Sequence, residues 1–104
     1  MVELAFVLGE ELYYGFILTG AKNCFLVRNL LDLKQSIETI RRNKEIALVF
    51  LDKQIEKIME PQETKDLLSS VSPLFFEIDS KGNLDYNKQV GELIKVLGVR
   101  LDGS

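Results

Sequence analysis

Acidic side chains lie near the ends of three apolar segments that have the composition of β-strands. Glu10 and Glu11 follow the first segment, Asp52 ends the third, and Glu77 lies near the end of the fourth. If these segments form a parallel sheet, their carboxyl ends share the edge at which open α/β sheets bind ligands. Clustered carboxylate oxygens are the ligands that a divalent cation prefers. The spacing therefore raises the hypothesis of a cation site at that edge.

Much other catalytic chemistry is disfavoured by what the sequence lacks. It contains no histidine, which removes the commonest general base and metal ligand. Its single cysteine, Cys24, excludes an intrachain disulfide and a thiolate cluster, and we expect a small core residue in a reducing cytoplasm. No phosphate-binding glycine motif occurs between Gly9 and Gly20. The favoured interpretation is a chain without catalytic residues, cofactor or metal.

The charge balance argues against two classes of partner. The chain has 13 basic and 16 acidic residues and a net charge of −3. Nucleic-acid binding rests on an excess of Lys and Arg, and so does electrostatic binding to a membrane surface. No apolar run approaches the roughly 20 residues of a membrane span, and residues 1–8 lack the basic start of a signal peptide. We expect a cytoplasmic chain without direct membrane insertion.

Strand and helix patterns alternate along the chain. Apolar runs predict strands over residues 2–8, 24–27, 46–51 and 74–78. Helical spacing predicts helices over 10–19, over 30–42 with Asn29 as N-cap, and over 55–71 with an interruption at Pro61. Asp85 is expected to cap a final helix that ends at Gly98.

This alternation predicts an α/β fold. We expect a small flavodoxin-like, or Rossmann-like, four-stranded parallel sheet in the order 2-1-3-4, flanked by helices and followed by a C-terminal helix. The length predicts a single domain over residues 1–104. Within it, 1–80 would form the sheet-and-helix core, and 84–104 the C-terminal helix and tail.

Two apolar sets are candidates for contact with a partner. Tyr13 and Tyr14 form an adjacent pair after the first strand, where they either pack partly in the core or bind a partner. An apolar stripe on the final helix can likewise lie on its own sheet or in a partner's groove. At the distal end of that stripe and past Gly98, Leu97, Val99 and Leu101 are better candidates for a partner contact than the rest of the stripe.

One resemblance is to the receiver domain of response regulators. In that family, acidic residues after the first strand help to bind magnesium, and an Asp ending the third strand accepts phosphate. Glu10, Glu11 and Asp52 occupy these places. The receiver's hydroxyl residue that ends the fourth strand has no counterpart in Phe76-Glu77-Ile78. Its lysine has no counterpart either, because we predict no fifth strand. A divergent phosphoacceptor domain that uses Asp52 therefore stays as the alternative, beside an adaptor of the same fold.

A second resemblance extends over nearly the whole chain. The residues Val7-Leu8-Gly9-Glu10 and Gly15-Phe16-Ile17-Leu18-Thr19-Gly20 resemble the first strand and following helix of the F subunit of the V-type and archaeal A-type rotary ATPases (ATP synthases). Strand 46–51, the proline-led strand Ser72-Pro73-Leu74-Phe75-Phe76-Glu77-Ile78, and the closing residues 93–99 resemble later parts of that family. The motif residues are Gly9, Glu10, Gly15, Phe16, Leu18, Gly20 and Pro73.

The resemblance implies a non-catalytic protein of the central rotor stalk. In that family, the small F subunit binds the coiled-coil D subunit of the stalk, and the pair turns inside the catalytic A/B ring. It thereby helps to couple ATP hydrolysis or synthesis to proton or sodium transport. The resemblance also implies a cytoplasmic location, peripheral to the membrane as part of the complex, and a mobile, regulatory C-terminal part.

Overall fold

The computed structural model describes residues 2–79 and 84–85, in which strands and helices alternate as predicted. The strands are β1 (Glu3–Leu8), β2 (Cys24–Leu26), β3 (Ile46–Asp52), β4 (Leu74–Ile78) and β5 (Leu84–Asp85). The α-helices are α1 (Glu10–Leu18), α2 (Leu30–Arg42) and α3 (Pro61–Leu68), and a 3-10 helix (Lys53–Ile58) follows β3. The remaining C-terminal predictions, including Leu97, Val99 and Leu101, lie outside the described residues.

The strand order confirms the predicted topology. Four parallel strands form a sheet in the order β2-β1-β3-β4, flanked by helices. The structure adds β5, which pairs antiparallel with β4 through Glu77 opposite Asp85 and Ile78 opposite Leu84. The prediction of no fifth strand was therefore wrong. Two residues are too few to produce an alternating apolar pattern, so this strand gave no signal.

The two faces of the sheet carry separate cores. On one face, Ala5, Val7, Val49 and Leu51 pack with side chains of α2, the 3-10 helix and α3. On the other face, the buried residues of the central strands pack with the inner side of α1. A row of aromatic rings crosses this second face, with centroids 5.0, 5.2 and 5.8 Å apart in the order Phe16, Phe6, Phe50 and Phe76. Helix α1 is thus anchored through apolar burial.

The helix ends follow their local sequence. Asn29 caps α2, because its side chain accepts the Asp32 N–H at 2.8 Å. Gly20 follows α1 with φ +82°, a left-handed conformation that glycine adopts without strain. Pro61 does not interrupt a helix as predicted but begins α3, where its missing N–H costs nothing. Val71 lies beyond α3 and is 83% exposed, so its predicted helical role was wrong.

None of the described helices combines the length and the apolar composition needed to cross a bilayer.

Candidate functional site

The Asp52 carboxylate is fully buried and already engaged. Its Oδ2 accepts the Gly9 N–H at 2.9 Å, and its Oδ1 accepts the Gln54 N–H at the same distance. These bonds connect the end of β3 to the start of α1 and to the 3-10 helix. Gly9 suits this close approach, since a Cβ there would lie 3.2 Å from Asp52 Oδ2, which is a tight contact. Both carboxylate oxygens of the predicted phosphate acceptor therefore have structural partners.

The two acidic residues that follow β1, Glu10 and Glu11, do not converge on Asp52. Glu10 Oε1 accepts the Arg28 Nε–H at 2.6 Å in an exposed ion pair, and this contact raises the pKa of Arg28 further. Glu11 is exposed on the first turn of α1, where a negative charge complements the helix dipole. Within the described part of the chain, no group of three or more Asp, Glu, Cys or His side chains is placed to hold a metal ion.

A pair of carboxyl groups lies beside Asp52: Glu77, which the sequence analysis placed at this edge, and Glu56, which it missed. Glu56, on the 3-10 helix, is hydrogen-bonded to Glu77 of β4. Burial, the hydrogen bond and the Glu77 charge together raise the pKa of Glu56 to about 7, although Lys53 opposes them. Glu56 Oε2 is buried and lacks a hydrogen-bond partner among the described residues. Residues 21 positions apart gave no sequence signal, because only the pairing of β3 with β4 brings them together.

The Cys24 thiol is half-buried at the start of the edge strand β2 rather than placed in the core. Burial raises the pKa of this thiol, so it stays protonated and is a poor nucleophile. Its geometry therefore agrees with a packing role.

Helix α1 has apolar side chains on both sides. Leu12, Tyr13 and Phe16 pack against the sheet. Tyr14, Ile17 and Leu18 point away from it, with Tyr14 53% and Leu18 88% exposed. A helix that is apolar around its whole circumference is normally covered on every side. We call Tyr14, Gly15, Ile17 and Leu18 the outer α1 face.

The two tyrosines separate into different roles. Tyr13 belongs to the core contacts, whereas Tyr14 lies on the outer α1 face, and their rings meet edge to face at 5.3 Å. The Tyr14 hydroxyl accepts the Arg28 Nη2–H at 3.4 Å. Arg28 thus joins Tyr14 to Glu10 and restrains the ring that the outer face presents. The structure places one tyrosine, Tyr14, where a partner can reach it.

The motif residues also divide between inside and outside. Phe16 packs on the sheet, and Pro73 is buried just before β4, where its carbonyl accepts the Ser70 Oγ–H at 2.7 Å. Gly15 is exposed, and a Cβ there would meet nothing within 4 Å. Gly15 therefore leaves a flat patch on the outer α1 face beside Leu18.

No protein-family model matches the chain, and no curated protein matches it either.

We predict that Asp52→Asn lowers the free energy of unfolding by about 1–3 kcal/mol, because an amide has one acceptor oxygen for two backbone N–H donors. Asp66→Asn is the matched control, since Asp66 is exposed and accepts only from Gln62 Nε2–H. Urea titrations monitored by circular dichroism measure both variants.

The same variant tests the phosphoacceptor alternative. Intact-mass measurement of the wild-type chain after incubation with acetyl phosphate and magnesium should show no added phosphoryl group. An adduct that Asp52→Asn abolishes, together with unchanged stability of that variant, would contradict the structural role of Asp52.

We predict that Glu56 makes stability decrease with rising pH. The folded state holds this proton up to about pH 7, whereas an unfolded glutamate releases it near 4.5. The free energy of unfolding should therefore fall from about pH 4.5 to 7 through this group and level off above. Glu56→Gln, which resembles the protonated form, should flatten that part of the profile. An identical pH profile in wild type and variant would show that Glu56 ionises normally.

Proposed function

We infer that this chain is a non-catalytic, partner-binding protein of the central-stalk type, similar to the small F subunit of the V-type and A-type rotary ATPases. The observation that carries the inference is the position of the Gly15-Phe16-Ile17-Leu18-Thr19-Gly20 motif. This motif runs through the second half of α1 and just beyond its end. It supplies Phe16 to the core and Gly15, Ile17 and Leu18 to the exposed outer α1 face.

The outer α1 face has the chemistry of a helix-binding surface. Tyr14, Ile17 and Leu18 follow the spacing of three and four residues that aligns side chains along one side of a helix. Exposed aromatic and aliphatic groups contribute most when a partner removes them from water. Gly15 has no side chain that would hold the partner's backbone away. The partner that we propose is the coiled-coil D subunit of the stalk, which we call the coiled-coil stalk protein.

The carboxyl edge of the sheet supports a role without catalysis. Asp52 is buried and accepts two backbone hydrogen bonds, and Glu10 is paired with Arg28. These carboxylates act as structural acceptors and surface charges. Tyr14, Ile17 and Leu18 on the outer side of α1 remain exposed and available for recognition.

The sheet and α1 are suited to transmitting force. Helix α1 is attached along its inner side to the aromatic row that crosses β1, β3 and β4. Close-packed interiors transmit strain because they are hardly compressible. We propose that the chain turns with its coiled-coil partner inside the A/B ring and helps to couple ATP chemistry to proton or sodium transport. It would then be cytoplasmic and peripheral to the membrane.

We predict that Leu18→Gln weakens binding to the coiled-coil stalk protein of the same genome by about tenfold, since buried interface leucines contribute roughly 1–2 kcal/mol. Val71→Gln is the matched control: Val71 is 83% exposed and lies beyond α3. Both changes should leave thermal stability nearly unchanged, because both side chains are already exposed. Isothermal titration calorimetry with the full-length chains measures the affinity.

Gly15→Ala separates the effect on stability, measured by urea titration, from the effect on binding, measured by the same calorimetry. It should raise the free energy of unfolding by roughly 0.5–1 kcal/mol and still weaken the complex, because the added methyl group lies on the contact surface. Absence of any complex between the folded chains would contradict the proposed function. If every variant bound with equal affinity, the proposed partner would stand, but the outer α1 face would not be its contact surface.

A further inference from the structure

A groove of about 530 Å³ runs between α2 and α3, on the opposite side of the sheet from α1. Its apolar lining comes from Ile37 of α2, which is half-buried, and from the exposed edges of three core residues, Leu33, Met59 and Leu67. The outer α1 face cannot share an occupant helix with this groove, because the sheet lies between them. The groove is therefore a separate surface from the one assigned to the coiled-coil stalk protein.

The two walls of the groove carry opposite charge. Lys34 and Arg41 are exposed on the α2 wall, and neither has an ion-pair partner within the described part of the chain. Glu38 on the same wall pairs with Arg42, so the wall stays positive. Glu63 and Asp66 make the α3 wall negative. Glu63 accepts the Glu60 N–H and Asp66 accepts from Gln62, so both carboxylates are held in place.

The dimensions of the groove fit a short length of helix. Lys34 and Arg41 are seven residues apart on α2, which corresponds to about 10 Å, or two helical turns. Over that length a docked helix presents anchors at positions i, i+3 or i+4, and i+7. The basic charges are spread along the α2 rim instead of converging on one point, as they would around a small ligand.

We propose that this groove binds an amphipathic α-helix of a protein partner. The apolar stripe of that helix lies on Leu33, Ile37 and Leu67. Its acidic flank faces Lys34 and Arg41, and its basic flank faces Glu63 and Asp66. Opposite charges on the two flanks also set the direction in which the helix lies, because reversing the helix exchanges its flanks.

Three designed helical peptides test the proposal. They share one leucine stripe, and their flanks carry glutamate on one side and lysine on the other, glutamate on both sides, or lysine on both sides. Fluorescence anisotropy with the full chain at low salt should show the mixed peptide binding about fivefold more tightly than either uniform peptide, since exposed ion pairs contribute modestly. If only net charge governed binding, the order of affinities would differ, because a chain of charge −3 would bind the peptide with lysine on both flanks most tightly.

Charge reversal of one wall provides the decisive control. In Lys34→Glu/Arg41→Glu both walls are acidic, so the peptide with lysine on both flanks should become the tightest ligand. Lys22→Glu/Lys65→Glu changes the net charge equally at exposed positions outside the groove lining, and it should keep the preference for the mixed peptide. The proposal is overturned if no peptide binds the wild-type chain, if the three bind with equal affinity, or if the lysine peptide binds most tightly. It is also overturned if reversal of the α2 wall leaves the order of the peptide affinities unchanged.

Discussion

The arrangement of the helices depends on the hydrogen bonds that the buried carboxylate of Asp52 accepts. It lies at the end of the central strand β3 and accepts the N–H groups of Gly9 and Gln54. A buried carboxylate without such donors would be strongly destabilising. Gly9 must therefore lie against β3, and α1 begins immediately after it. The position of α1, and with it the direction of its outer face, follows from this contact and from the packing of Phe16 on Phe6.

The sheet separates the two surfaces that we propose for recognition, and their chemistry differs. The outer α1 face is apolar and flat beside Gly15, which suits a partner whose contact is mainly hydrophobic. The groove between α2 and α3 adds two charged walls to an apolar lining, which suits a partner with a defined charge pattern. Between them, the carboxyl edge of the sheet is occupied by structural hydrogen bonds. A small chain can in this way be specialised for contacts on two sides.

Local patterns were sufficient to predict most of the sheet, whereas contacts between distant residues were not predictable. Alternating strand and helix signals allowed only a few topologies, so the order β2-β1-β3-β4 followed, and Asn29 capped α2 as expected. The outward direction of Gly15 was not predictable, because a helix that is apolar on both sides has no clear inner face. The Glu56–Glu77 pair was missed because it depends on strand pairing. Of the candidate site, Tyr13 and Tyr14 were both candidates from the sequence, and the structure was required to show that only Tyr14 of this pair is exposed.

The central claim is that the outer α1 face contacts the coiled-coil stalk protein. The most direct measurement is photo-cross-linking of the full chain, with p-benzoylphenylalanine in place of Leu18 or, separately, of Val71, after assembly with the coiled-coil stalk protein and the A/B ring of the same genome. We expect position 18 to form an adduct with the coiled-coil stalk protein and position 71 to form none. The proposed contact is contradicted if position 18 forms no such adduct in a complex that assembles, or if the chain does not assemble with these proteins.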